Sequence, residues 1–349
     1  MSVNPVAEFL LNSSLCRLRL DVQIQAKERQ REKRHYAHCY KNQNTRGPLH
    51  VGTLRQRDLK KSVQDICVIV NPAARSQRLR HALAQLSALT HGATIFATTG
   101  PGHAEVLARN AVREGYRKVV AAGGDGTVNE VVNGIAGSDV TLGLLPLGTV
   151  NVFATELGLP SNNLAQCWDI INRDYVRAVD LPRANAKHFV QLAGIGLDAQ
   201  AVKETSSALK RNFGPLSYVL SAAQIASRRP PRLTIESDDA ACAEGSFVLV
   251  GNGRLYGGRF PFFKQASVDD GLFDVLVFKN LSYLEIVGYL HDVLFCSEIR
   301  TRDVEYFQTR ALRVSANEEV PVEVDGELTT TCPVEFSIKQ GALRVLTGE

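Results

Sequence analysis

Residues 123–134, GGDGTVNEVVNG, constrain this chain more than any other stretch. They follow Val119, Val120, Ala121 and Ala122, an apolar run of the kind that forms a buried strand. Val128, Val131, Val132 and Ile135 then recur at helical spacing. The pattern therefore predicts strand, tight glycine turn, helix. Glycines allow backbone N–H groups to crowd around an anion, and the N-terminus of the following helix favours negative charge. Such a turn is also an ordinary connection between a strand and a helix. Asp125 shifts the balance, because an acid among phosphate-cradling glycines repels the ligand unless a cation lies between them. Asn129 and Glu130 add polar groups where a purely structural helix would need none.

The surrounding pattern extends this unit. Residues 66–70 and 94–98 read as strands, as do 119–122 and 142–145. Between them Leu79, Leu83 and Leu86 trace one helix face, and Ala104, Leu107, Ala108 and Ala111 another. Alternating strands and helices predict a parallel, doubly wound α/β layer, whose ligands sit past the carboxyl ends of the strands. Asn71, Thr98, the glycine turn and residues 148–151 all fall there. After about residue 179 the texture changes: 190–193, 233–236, 247–250, 273–278, 312–316 and 320–324 are strand-like, mostly without helices between them. That predicts an antiparallel β-sandwich. Residues 207–227 and 283–295 read as core-packing helices within it. Residues 334–338 and 342–346 read as two last strands that could return to the first layer.

Bulk properties narrow the class. The chain has 349 residues, enough for two ordinary domains, and no apolar run of membrane-spanning length. The seven cysteines are scattered without a CxxC pair, which argues against a zinc site or disulfide framework and suits a reducing, cytoplasmic compartment. Residues 1–20 read poorly as a signal peptide, because Asn12, Ser13, Ser14 and Arg17 interrupt the apolar run. Net charge is +4, but residues 27–61 alone carry eleven basic and three acidic side chains, giving +8. We expect residues 1–62 to form a basic, poorly ordered arm. It is either a solvated tail or an attractor for anionic lipid headgroups. The body shows no basic stripe, so no nucleic-acid partner is expected.

Six markers in order give the chain a family resemblance: residues 70–72 (VNP), 123–134, 146–154 (PLGTVNVFA), 251–258 (GNGRLYGG), 269–272 (DDGL) and 324–328 (VDGEL). Together they resemble the diacylglycerol-kinase-type lipid kinases, especially the bacterial ones, from about residue 65 onward. The glycine turn by itself also fits NAD kinases and phosphofructokinases. The resemblance implies an NAD-kinase-like, doubly wound α/β domain at 63–180, followed by an antiparallel β-sandwich domain at 181–349. It implies transfer of the γ-phosphoryl of ATP, with Mg²⁺, to the hydroxyl of a diacylglycerol-like lipid. Gly124, Asp125, Gly126, Thr127, Val128, Asn129 and Glu130 would wrap the phosphates. Thr98 and Thr149 would add hydroxyls, and Asn71 would border the crevice. Asp125 and Glu327 are the catalytic candidates, Glu327 as the general base. Asn252 would line the substrate cleft. Ser267, Asp270 and Leu272 would hold a structural Mg²⁺, with Asp180 acting indirectly.

Alternatives accompany each assignment. Asp325-Gly326 is by itself a hairpin-turn signal that leaves Glu327 solvated, and Asp269-Asp270-Gly271 by itself reads as a turn. Val152 stands where many such kinases carry an aspartate, which reduces any metal network that needs that acid. A sphingoid-base or ceramide kinase shares the chemistry, and a non-catalytic nucleotide- or lipid-binding regulator shares the markers. The implied partners are ATP and a lipid at the inner membrane surface, reached by peripheral association. A homodimer is left open.

Overall fold

The computed structural model describes residues 65–72, 89–90, 92–196, 230–238, 242–256, 258, 260–279 and 304–348. The expected arm at 1–62 and the helical segments at 79–86, 207–227 and 283–295 lie outside the described residues.

The first part alternates as its pattern predicts. Strands β1 (Ile66–Val70) and β2 (Thr94–Ala97) are followed by helix α1 (His103–Glu114), β3 (Lys118–Gly123), α2 (Asp125–Ile135) and β4 (Thr141–Pro146). Short α3 (Val152–Glu156) and α4 (Leu164–Arg173) complete it. The strands lie parallel in the order β2-β1-β3-β4. Successive side chains in β1 point to opposite faces. Cys67 and Ile69 pack with Ala104, Ala108 and Ala111 of α1 and Val128, Val131 and Val132 of α2. Val68 and Val70 pack with Cys167, Trp168 and Ile171 of α4. Helices therefore cover both faces, and the layer is doubly wound. The segment 164–173 had not been read as a helix; Asn163 caps it by accepting the N–H of Gln166 at 3.0 Å.

The second part is a sandwich. Its strands are β5 (Val176–Ala184), β6 (Lys187–His188), β7 (Leu192–Ile195), β8 (Leu233–Ser237), β9 (Cys242–Gly245) and β10 (Phe247–Gly251). There follow β11 (Leu255–Tyr256), β12 (Phe260–Pro261), β13 (Phe273–Phe278), β14 (Val304–Thr309) and β15 (Ala311–Ala316). The chain closes with β16 (Pro321–Val324), β17 (Glu327–Thr331) and β18 (Val334–Leu346). One sheet runs β14-β13-β10-β7-β16-β17, and its pairings are antiparallel. Its inner face (Ala193, Ile195, Val248, Val250, Val275, Val277) packs on Leu233, Ile235, Leu312, Val314 and Phe336 of the facing sheet.

That facing sheet is the α/β sheet continued. β18 pairs parallel with β4 at Val345–Leu142, and its first half pairs antiparallel with β15. The expected pair of separate strands at 334–338 and 342–346 is thus one thirteen-residue strand. It is bent at Gly341, which takes φ 61°, where its register against β5 also slips. Asp180 secures the bend, accepting the Gly341 N–H at 2.8 Å. β5 had no separate reading in the sequence, and the expected division at residue 180 falls inside it. The strand expected at 190–193 begins later, at Leu192, for a reason found in the site.

Candidate active site

The carboxyl ends of β1–β4 bring the glycine turn and its neighbours together. The Asn71 N–H donates to Ala122 O at 3.1 Å, and its Nδ2 donates to Thr127 Oγ1 at 3.2 Å. The Thr98 N–H donates to Val70 O at 2.8 Å, and the Leu147 N–H to Gly123 O at 2.9 Å. Gly148 lies so close to the turn that a Cβ there would stand 2.5 Å from the Gly124 Cα. A side chain at Gly148 is therefore excluded, and one at Gly124 would stand a tight 3.2 Å from the Gly148 Cα. Helix α2 makes its first internal hydrogen bond from the Val128 N–H to Gly124 O at 3.1 Å. The N–H groups of Asp125, Gly126 and Thr127 precede that bond and have no partner within the helix. Thr149 is exposed.

Asp125 turns towards α3. The backbone N–H groups of Val152, Phe153 and Asn151, at the start of that helix, lower the pKa of its carboxyl. Burial, followed by repulsion from Asp325, still pushes it above the ordinary carboxylate range.

Three residues expected around the phosphates have side chains engaged within the protein. Val128 is 6% exposed and belongs to the core. Glu130 caps α1, accepting the Gly102 N–H at 2.8 Å and the Ala104 N–H at 2.9 Å. Asn129 is buried, and its Nδ2 donates to Asp325 Oδ2 at 2.8 Å and to His188 O at 3.1 Å. The polar face of α2 is thus structural: it fastens the helix to the sandwich. Asn133, one turn on, donates to His188 O at 2.9 Å and accepts the His188 N–H at 2.9 Å. The Asn129–Asn133 spacing of four was the available signal, since it puts two amides on one helix face.

Glu327 opens β17, directly after the Asp325-Gly326 turn. It is exposed, yet it lies against the glycine turn: a Cβ on Gly126 would stand 3.0 Å from Glu327 Oε1. One carboxylate of the sandwich thus meets the N-terminal turn of α2, 201 residues away in sequence. Asp325, which the sequence reading took only as a turn residue, accepts Asn129 Nδ2 and the N–H groups of Val190 (2.9 Å), Gln191 (3.0 Å) and Leu192 (3.2 Å). Those amides are therefore unavailable to a ladder, and β7 starts only at Leu192.

Asn252, expected in the substrate cleft, is fully buried. Its Nδ2 donates to Val190 O at 2.9 Å. Its Oδ1 and the Oε1 of Gln191 have no hydrogen-bond partner among the described residues. Gln191 Nε2 donates to Glu156 at 2.9 Å, and Glu156 also accepts the Leu255 N–H at 2.9 Å, joining α3 to β11.

The remaining candidates form a separate acidic corner. Asp180 is 1% exposed and accepts the N–H groups of Gly271 at 2.6 Å and Gly341 at 2.8 Å. Burial, then the charges of Asp270 and Asp269, push it above its ordinary range. Asp270 accepts the Leu272 N–H at 2.9 Å, and Ser267 donates to Asp269 at 2.5 Å. Arg177 pairs with Asp269 at 2.6 Å. Among the described residues no three His, Cys, Asp or Glu side chains are grouped to hold a metal. An ion at this corner would thus need backbone carbonyls and water.

Comparison with known proteins accounts for this arrangement. The diacylglycerol kinase catalytic domain matches residues 65–184, and the YegS C-terminal NAD kinase beta sandwich-like domain matches 192–347. The diacylglycerol kinase of Bacillus subtilis (strain 168) is 30% identical over 277 residues, covering 77% of this chain and 91% of its own. The chain belongs to the diacylglycerol kinase family. It is a lipid kinase. The diacylglycerol kinase of Staphylococcus haemolyticus (strain JCSC1435) is 31% identical over 278 residues, covering 77% of this chain and 84% of its own. A crystal structure of a diacylglycerol kinase from Bacillus anthracis str. Sterne aligns with a TM-score of 0.64 at 25% identity, covering 83% of this chain and 98% of that one. Among the described residues, no helix is long and apolar enough to cross a membrane.

Proposed function

We propose that this kinase transfers the γ-phosphoryl of ATP to the hydroxyl of a diacylglycerol-like lipid, with Glu327 as general base. The observation that carries the reading is the approach of Glu327 Oε1 to Gly126, at the start of α2. The N–H groups of Asp125, Gly126 and Thr127 hold the terminal phosphates, and Asn71, Thr98 and Thr149 border them. Glu327 takes the proton of the lipid hydroxyl as its oxygen forms a bond to the γ-phosphorus. The bond from that phosphorus to the β,γ-bridging oxygen breaks, and ADP leaves. The Leu147 N–H bond to Gly123 O keeps the 147–151 loop on the glycine turn, beside Asp125. Positioning and preorganised donors supply most of the catalysis.

The all-oxygen donor set at Asp180, Ser267, Asp270 and Leu272, where burial and then the charge of Asp270 raise the Asp180 pKa, fits a hard divalent cation. Bound there, Mg²⁺ would neutralise Asp270 and stiffen the 267–272 loop, with Ser267 and Leu272 offering carbonyl oxygens. With nucleotide, Mg²⁺ supplies charge neutralisation of the phosphates. The basic segment 27–61 would bring the enzyme to an anionic membrane surface.

The test is incubation with labelled ATP and mixed lipid vesicles, with products resolved by mass. Wild type should yield a phosphorylated diacylglycerol, and Glu327→Gln should lose about 10²- to 10⁴-fold in turnover while still binding ATP. Near-normal turnover by Glu327→Gln would remove the assigned base. Labelling of a long-chain amino alcohol or ceramide instead would replace the acceptor.

A further inference from the structure

The Asp325-Gly326 turn does more than reverse the chain. Both residues take positive φ, 48° and 84°, so the tight turn projects the side chains of Asp325 and Glu327 on either side of Gly326. Glu323 accepts the Gly326 N–H at 2.7 Å and braces the turn from behind. In front, the two acids meet α2 one helical turn apart: Glu327 beside Gly126, and Asp325 on Asn129 at 2.8 Å. Residues three apart share a helix face, so one helix presents both docking points. Asp325 also gathers the N–H groups of Val190, Gln191 and Leu192, while its own N–H donates to Leu192 O at 2.9 Å.

We infer that Asp325 is a positioning residue that holds Glu327 over the N-terminus of α2 by fastening the hairpin to both α2 and β7. The inference rests on the proposed base role of Glu327. Four donors converge on Asp325 from two directions, and only a carboxylate, with no donor of its own, satisfies them all. An asparagine keeps the left-handed backbone conformation but turns an N–H₂ against some of those donors. The hairpin would then stay formed while its seat on α2 loosens. Asp325 itself has no role in proton transfer, because both its oxygens are engaged by protein donors.

A four-enzyme cycle tests this: wild type, Asp325→Asn, Glu327→Gln and the double variant. Each is assayed for kcat, for KM of both substrates and for binding of a non-hydrolysable ATP analogue. Asp325→Asn should lower kcat by about 10- to 100-fold, the scale of a misplaced catalytic group, with both KM values within about twofold. In the Glu327→Gln background it should cost nothing more. Full additivity, an unchanged kcat, or a loss that merely tracks the folded fraction would overturn the inference. If Asp325→Asn fails to fold, Asn129→Ser removes the helix anchor, together with the bond to His188 O, while leaving the Asp325 contacts to residues 190–192, and should show the same kcat loss and the same non-additivity. Should Glu327→Gln itself stay active, the base assignment fails; should it be inactive while Asp325→Asn is unimpaired, only the positioning role fails.

Discussion

Substituting Gly126 by alanine should separate stability from turnover. Gly126 is the second residue of α2 and carries no left-handed backbone angle, so alanine is compatible with its conformation. Glycine in a helix interior costs about 0.5–1 kcal/mol relative to alanine, and less at an end. The variant should therefore match or slightly exceed wild type in stability. The new Cβ would, however, stand 3.0 Å from Glu327 Oε1, where ordinary contact begins near 3.4 Å. The carboxylate must retreat by roughly 0.4 Å if about 10²-fold per ångström of misplacement is to guide the scale, which gives a kcat loss of about 5- to 10-fold. Urea unfolding monitors the first quantity, and steady-state phosphorylation of lipid in mixed micelles monitors the second. Undiminished kcat would mean that Glu327 does not stand over Gly126 during turnover. A loss of more than about 1 kcal/mol in stability would mean that the turn lacks the room ascribed to it.

Two further outcomes follow from the electrostatics. Burial, with the neighbouring charges of Arg183 and Lys187, lowers the His188 pKa below 6.5, while its Nδ1 donates to Pro182 O. The unfolded chain then binds a proton that the folded one refuses, so stability falls as pH drops through about 6.5. His188→Asn should lose less stability than wild type between pH 7 and 5.5 in urea titrations, and identical slopes would refute the assignment. At the acidic corner, millimolar Mg²⁺ should raise the melting temperature of wild type and have a smaller effect on Asp270→Asn, which can still accept the Leu272 N–H. Equal shifts in both proteins would place the ion elsewhere.

The doubly wound layer was legible because its signals are local. β1, β3, β4 and α2 follow from apolar runs and helical spacing, and the glycine turn from residues adjacent in sequence. Two other kinds of element were not legible. The nine-residue β5 (VRAVDLPRA) mixes charge, proline and apolar residues, because its pairing with β18 rather than its composition makes it a strand. The bend in β18 looks like a break in the sequence, and the strand is continuous because β5 pairs with it on both sides of Gly341. In the site, the protein partners of Asn129 and Glu130 were not legible, because polarity on a helix names no partner.

Sequence by itself determined the class of layer, the position of the glycine turn and, through six ordered markers, the family. Tertiary structure alone decided which polar groups meet. Asp325 and Asn129 are 196 residues apart, yet their hydrogen bond is what seats Glu327 beside Gly126. Helical and strand periodicities report contacts a few residues apart. A carboxylate's partner, and hence its task, depends on how two sheets close on each other, and no local pattern encodes that distance.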